Sequence, residues 1–514
     1  MVARCYSGAI GGVDASTVEI EVNSVLASSS FAIVGLPDQA VKEAKERVST
    51  ALKTSGFSSK KEYAVTVNLA PADTKKEGPI YDLPIAVALM KATGRLENER
   101  LHEYALIGEL SLSGVVRRVR GILPIVMEMK RIGKRAILVP ADNALEASVV
   151  RGIDVIPVRT LVDAIEYLNG RCEILPVSTD LADLVTAEYG RGEDFADVKG
   201  QFQAKEGLEI AVAGGHNVLM IGSPGSGKTM LARRIPSILP TMTVEEALEV
   251  SKIHSVAGRE KGARVFVTER PFRAPHHTVS SIGLLGGGTH PMPGEVSLAH
   301  RGVLFLDEFA EFPRSVLETL RQPLEDGHVV VSRALASYDY PSRFMLVAAM
   351  NPCPCGYYGD NTHACRCNQA QILKYQHRVS GPLMDRIDLQ IGVFAVPVKD
   401  LESMQTGDSS EEIRKRVEAA RLIQAKRYRD LNGVSTNAEA PSRILRDVCR
   451  LSNEANTRLM HDVERLGLSA RAYDRVLRVA RTIADLKAKS EVTTEEVVSA
   501  CSYRQMDTAK NFWA

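Results

Sequence analysis

From residue 17 to residue 170 the chain alternates between two spacings of apolar positions. Runs rich in Val and Ile predict strands over Thr17–Asn23, Phe31–Val34, Tyr63–Leu69, Tyr104–Ile107 and Ala136–Val139. Helical spacing predicts Gln39–Thr54 and Leu83–Lys91. Pro84 suits the first turn of the latter, where a missing N–H breaks no helical bond. This alternation is that of an α/β domain. A polar, acidic passage over 179–197 reads as a linker. A second α/β pattern follows from Phe202 to Ala395, interrupted by Gly- and Pro-rich insertions. From about Leu401 the spacing is helical to the end, with Arg-rich faces at 414–429 and 471–481, and no short repeat or low-complexity tract intervenes.

The 514 residues, 45% hydrophobic and 25% charged, fit several ordinary globular domains. Lysine plus arginine number 64 against 63 acids, a net charge of +1 that stays near balance in each third of the chain. Bulk charge therefore marks no part as a basic nucleic-acid-binding module. Aromatic residues make up only 5%, with Trp513 the sole tryptophan. Base-stacking platforms are not expected, and any nucleic-acid contact would run through phosphates. No stretch approaches the roughly 18 apolar residues of a membrane span. The N-terminus has glycines and Asp14 where an export signal needs an apolar run, so a cytoplasmic location is expected.

Candidate chemistry begins at Gly222-Ser-Pro224-Gly225-Ser226-Gly227-Lys228-Thr229, a full phosphate-loop pattern between a predicted strand, Asn217–Ile221, and a predicted helix. The glycines let backbone N–H groups surround phosphate oxygens at a helix N-terminus. Lys228 would neutralise the β- and γ-phosphates of ATP or GTP, and the Thr229 hydroxyl would ligate Mg2+. The run Gly302-Val-Leu-Phe-Leu-Asp307-Glu308 places two carboxylates at the tip of a buried strand. Asp307 fits magnesium coordination, and Glu308 fits the base that orients the attacking water. A third strand, Phe344–Met350, ends in Asn351, where an amide could contact γ-phosphate or water.

Four of the eight cysteines crowd into two Cys-x-Cys arms, Cys353/Cys355 and Cys365/Cys367. Four thiolates suit tetrahedral Zn2+, although the familiar arm is Cys-x-x-Cys. His363 is a substitute ligand, and reduced thiols or redox chemistry are the other readings.

These motifs resemble those of AAA+ ATPases, and longer segments narrow the likeness. Arg270–Thr278, Gly286–His300, Ala348–Gly356 and Ser380–Leu389 resemble magnesium-chelatase-like ATPases of the bacterial YifB/ComM type. The resemblance implies ATP as the nucleotide and a homo-hexameric ring. It makes Arg386 an arginine finger reaching a neighbour's ATP, with a salt bridge to Asp385 or Asp388 as the alternative. Arg471 would be the sensor arginine of a helical lid, Arg475 lying one turn further along. Related helicases carry a pore hairpin at 327–337, which would set Arg333 on DNA backbone. His276 and His277 read either as donors near the pore or as caps of their loop. The implied activity is an ATP-driven DNA helicase that moves branch points in recombination intermediates during natural transformation. Its partners would be single-stranded, double-stranded or branched DNA, and recombination proteins. The competing reading is a chelatase-like motor that remodels a protein.

Lys76–Pro79, Gly108–Gly114, Arg120–Leu123 and Ile137–Asn143 resemble the Lon-protease domain, of ribosomal S5 type. That chemistry needs a serine nucleophile and a lysine base. Ile80 and Leu123 stand in their places, so proteolysis is not expected. The expected organisation is a catalytically inactive Lon-like domain at 1–175 and a linker at 176–198. An AAA+ core at 199–395 and a helical lid at 396–514 complete it.

Overall fold

The computed structural model describes residues 2–58, 61–179, 193–258, 266–288, 291–332, 337–360, 363–395, 407–431 and 433–504. The chain divides into two compact units. One comprises Met1–Val185, Val244–Thr268 and Ser332–Asp339; the other comprises Thr186–Thr243, Glu269–Val331 and Tyr340–Ala514.

The first unit is built on a seven-stranded mixed sheet. Its order is Ser30–Val34, Tyr63–Ala70, Asp14–Leu26, Val2–Gly11, Tyr104–Leu106, Ala136–Pro140, Asp154–Val158. Along Asp14–Leu26 the side chains of Val18, Ile20 and Val22 are buried while Glu19 and Glu21 are not, the period of two that a half-covered strand requires. All five predicted strands are present, and Val2–Gly11 and Asp154–Val158 are additional. The predicted helix Gln39–Thr54 is interrupted at Glu43, giving Gln39–Lys42, capped by the Asp38 carboxylate, and Ala44–Thr54. Helices Asp82–Ala92 and Ile122–Arg131 pack on strands Val2–Gly11 and Asp14–Leu26.

One helix of this unit comes from far along the chain. Val244–Ala257 buries Ala247, Val250 and Ile253, pairs Lys252 with Asp14, and donates a Ser255 hydroxyl bond to Glu146. Linear pattern places that segment inside the second α/β run; its contacts place it in the first unit.

The second unit carries a five-stranded parallel sheet. Its order is Phe272–Arg273, Val303–Leu306, Met345–Met350, Val218–Ile221, Leu389–Gly392. The strand leading into the phosphate loop is flanked on both sides, and its residues serve two cores. Val218 and Met220 pack with the C-terminal helices, while Leu219 and Ile221 pack with Leu304, Leu306 and Tyr375. Strands covered on both faces read as continuous apolar runs, which is why VLMI and VLFL are legible. Phe195 and Val198, read from composition as linker, are fully buried in the first of these cores. The C-terminal helices are Ser410–Arg427, Ser442–Cys449, Asn453–Leu466, Ala470–Leu486 and Thr494–Ser502. No helix among the described residues is long and apolar enough to cross a membrane.

Candidate functional site

The phosphate loop leaves the C-terminal end of strand Val218–Ile221 and runs directly into helix Lys228–Ile238. Gly222 has no alternative: a Cβ there would come within 2.0 Å of the Val393 carbonyl oxygen. Gly227 sits at φ 97°, in the left-handed region, and turns the chain into the helix.

Lys228 is buried. Its Nζ donates to the carbonyls of Gly222 at 2.7 Å and Ser223 at 2.9 Å, and to Asn351 Oδ1 at 3.3 Å. Burial lowers its ammonium to about 8, against the opposing pull of Asp307. A cation held only by neutral acceptors is what an anionic phosphate would complete. Thr229 Oγ1 donates to Asp307 Oδ2 at 2.7 Å, so the hydroxyl and carboxylate expected to share magnesium already meet. The residues present therefore fit a magnesium-bound nucleoside triphosphate. Lys228, Thr229, Asp307 and Asn351 come together from three adjacent strands that are distant in sequence.

Glu308 adjoins this group, and its contact was not anticipated. His277 Nδ1 lies 3.0 Å from Glu308 Oε2, and the His276 and His277 rings lie against each other, tilted by 35° with centroids 4.0 Å apart. The pair was expected at a pore or as loop caps. His276 does cap its loop, its Nδ1 lying 3.0 Å from the Thr278 hydroxyl. Strand register brings His277 to Glu308: Arg273 pairs with Leu304, and His277 and Glu308 each lie four residues further on. A second unanticipated contact is Gln201, whose side-chain amide donates to the Ser226 carbonyl in the loop.

The predicted arginines are placed apart from this cluster. Arg386 forms the local ion pair, with Glu325 rather than Asp385 or Asp388, and also donates to the Pro382 carbonyl. Asp388 is taken instead by Arg475, with His216 at 3.5 Å. Burial pushes that carboxyl up, but Arg475, His216 and the Asn217 N–H outweigh it and hold it well below the carboxylate range. Arg475 is thereby committed to the sheet, whereas Arg471 is exposed in a groove of about 380 Å3 beside Arg446 and Tyr473. Arg333 lies outside the described residues. The four predicted cysteines converge, all free and with their sulfurs within 4.8 Å of one another, in a group that does not include His363. In the first unit Ile80 and Leu123 are buried. Beside them Tyr81 donates to the Gly8 carbonyl, and Asp82 pairs with Arg47 at 2.6 Å.

A strand–loop–helix with a buried lysine, a Thr–Asp pair and an adjoining glutamate defines a P-loop nucleoside-triphosphatase site. Sequence relatives narrow the class. The family profile "Magnesium chelatase, subunit ChlI" matches residues 194–401, "Subunit ChlI of Mg-chelatase" matches 18–143, and "Magnesium chelatase, subunit ChlI C-terminal" matches 407–504. The chain is 42% identical over 508 residues to Competence protein ComM of Haemophilus influenzae, covering 98% of each. It is 43% identical over 501 residues to the uncharacterized protein YifB of Escherichia coli, covering 96% of each. A shorter likeness, 29% over 164 residues, links 31% of the chain to 23% of the magnesium-chelatase 67 kDa subunit of Chlorobaculum parvum. The chain belongs to the YifB/ComM family of magnesium-chelatase-like ATPases.

Proposed function

We propose that this protein is an ATP-driven DNA helicase or translocase that moves branch points of recombination intermediates during natural transformation, in the cytoplasm. One conjunction supports the reading. The Lys228–Thr229–Asp307–Glu308–Asn351 cluster stands in a chain related along nearly its whole length to a protein named for competence.

In this reading Gly222, Pro224, Gly225, Ser226 and Gly227 wrap the phosphates, Lys228 neutralises them, and Thr229 and Asp307 hold Mg2+. Bound Mg–ATP supplies the phosphoryl group whose hydrolysis releases the free energy. Glu308 orients the attacking water and accepts its proton, while Asn351 fixes its position from the neighbouring strand. Arg386 serves an adjacent subunit of a hexamer once freed from Glu325. Arg471 serves from the C-terminal helices, and Arg333 contacts DNA phosphates. The proposed organisation is a non-proteolytic Lon-like domain at 1–175, an AAA+ core at 199–395 and a lid at 396–514. A labelled strand should be displaced from a forked duplex with ATP. Glu308→Gln should bind ATP with near-native affinity yet lose displacement, with turnover lower by about 10²-fold or more. Full displacement by that variant contradicts the assigned base.

The second reading, a motor that remodels a protein, is favoured by the likeness to the chelatase 67 kDa subunit. In that case ATP turnover would respond to a protein partner and be indifferent to DNA.

A further inference from the structure

The nucleotide reading leaves the cysteine cluster without a role. Cys353 and Cys355 lie just past strand Met345–Met350 and Asn351, and Cys365 and Cys367 precede the capped helix Gln369–Gln376. The sulfurs of Cys353 and Cys355 are 3.4 Å apart, those of Cys353 and Cys365 3.7 Å, and those of Cys355 and Cys365 3.6 Å. A disulfide would bring a pair to about 2.05 Å. Four thiolates at about 2.3 Å from one tetrahedral Zn2+ stand about 3.8 Å from one another. The observed spacings match the second geometry.

The surroundings fit a set of thiolates. Backbone N–H groups of Tyr357 and Arg366 point at the Cys355 sulfur, and the Cys367 N–H lies 3.4 Å from the Cys365 sulfur. Such outer-shell donors orient and stabilise anionic ligands around a metal. His363 faces elsewhere: its ring packs on Tyr357, and its Nδ1 lies 3.6 Å from Asp360. Four sulfurs, with no other His, Cys, Asp or Glu ligand joining them among the described residues, describe a closed, structural site rather than a catalytic one.

Its position gives the site a consequence. Gly356, next to Cys355, holds φ 86°, and a Cβ on it would come within 2.6 Å of the Pro224 ring in the phosphate loop. On the far side, the Gln376 side-chain amide donates to the Pro352 carbonyl. The cysteine loop thus lies between the tip of the phosphate loop and the helix that leads toward Arg386.

We propose that Cys353, Cys355, Cys365 and Cys367 hold one zinc ion, and that this ion braces Pro224 through Gly356, so that nucleotide affinity depends on the metal. The bracing rests on the nucleotide-site reading; the metal site does not.

The test uses full-length protein purified under reducing conditions without added metal. Elemental analysis should find about one zinc per chain, released by a mercurial that titrates thiols and detected with a chromogenic chelator. Cys365→Ser should lose the zinc and bind a fluorescent ATP analogue roughly tenfold more weakly. Gly356→Ala is the second probe and does not depend on the folding of that variant. It retains all four ligands, so zinc should stay while ATP affinity falls. Protein without stoichiometric zinc, or with iron in its place, overturns the metal assignment. Zinc retained with native ATP affinity in Gly356→Ala overturns the bracing. Zinc-loaded wild type that binds no ATP overturns the nucleotide reading and leaves the metal site standing.

Discussion

Glu308 shows what a single residue position can hide. Its backbone is left-handed at φ 52°, and its side chain is 58% exposed apart from the contact with His277. An exposed carboxylate samples many rotamers, and a base must spend its time near the water it activates. If Glu308 is the base of the proposed mechanism, the contact with His277 restricts that sampling and makes His277 a positioning residue. His277→Ala should lower kcat by about tenfold with little change in KM. His277→Gln, which can still donate to the carboxylate, should recover most of the loss. Steady-state kinetics on the three proteins checks this, and an unchanged kcat in His277→Ala removes the role. The phosphate loop, Asp307, Glu308 and Asn351 were legible because each lies in or beside a continuous apolar strand, a signal local in sequence. The His277–Glu308 contact was not. It depends on which strands are neighbours and in what register, and no local pattern encodes either. The partner of Arg386 was hidden for the same reason: Glu325, which it pairs with in place of Asp385 or Asp388, lies 61 residues away in sequence.

At the level of elements, five strands of the first sheet were readable from their Val and Ile content, whereas a strand built on small residues was not. Val2–Gly11 is central in its sheet, yet its Gly, Ala and Ser positions blur the alternation. Gly8 shows why they are small: a Cβ there would come within 2.8 Å of Ile125. Two of the C-terminal helices start at capping boxes, Ser409 with Glu412 and Thr493 with Glu496. Glu496 is fully buried and meets Lys487, Lys489 and the Thr493 cap. Burial raises its carboxyl, but those partners prevail and bring it from 4.5 down to about 2. A carboxyl depressed on folding contributes stability above its unfolded value and loses it as pH falls toward the folded one. Glu496→Gln should therefore cost stability near pH 6, and the gap from wild type should close between about pH 4.5 and 2. Urea denaturation across that range tests it; a gap that stays constant with pH contradicts the ion-pair account.

For the whole molecule, the change from α/β alternation to a helical C-terminal stretch was legible from spacing, but the division into two compact units was not. Helix Val244–Ala257 joins the first unit although its sequence neighbours belong to the second, because chain order does not dictate which core an amphipathic segment covers. The +1 net charge has a comparable limit. It excludes a basic glove but not a ring in which copies of one arginine converge where the field is concentrated. Such contacts would be made to phosphates and would weaken as salt rises. The most direct measurement is the ATP hydrolysis rate with and without forked DNA across a salt titration. The account predicts stimulation at low salt that fades as salt rises, while the DNA-free rate changes little. A rate indifferent to DNA at every salt concentration would contradict it.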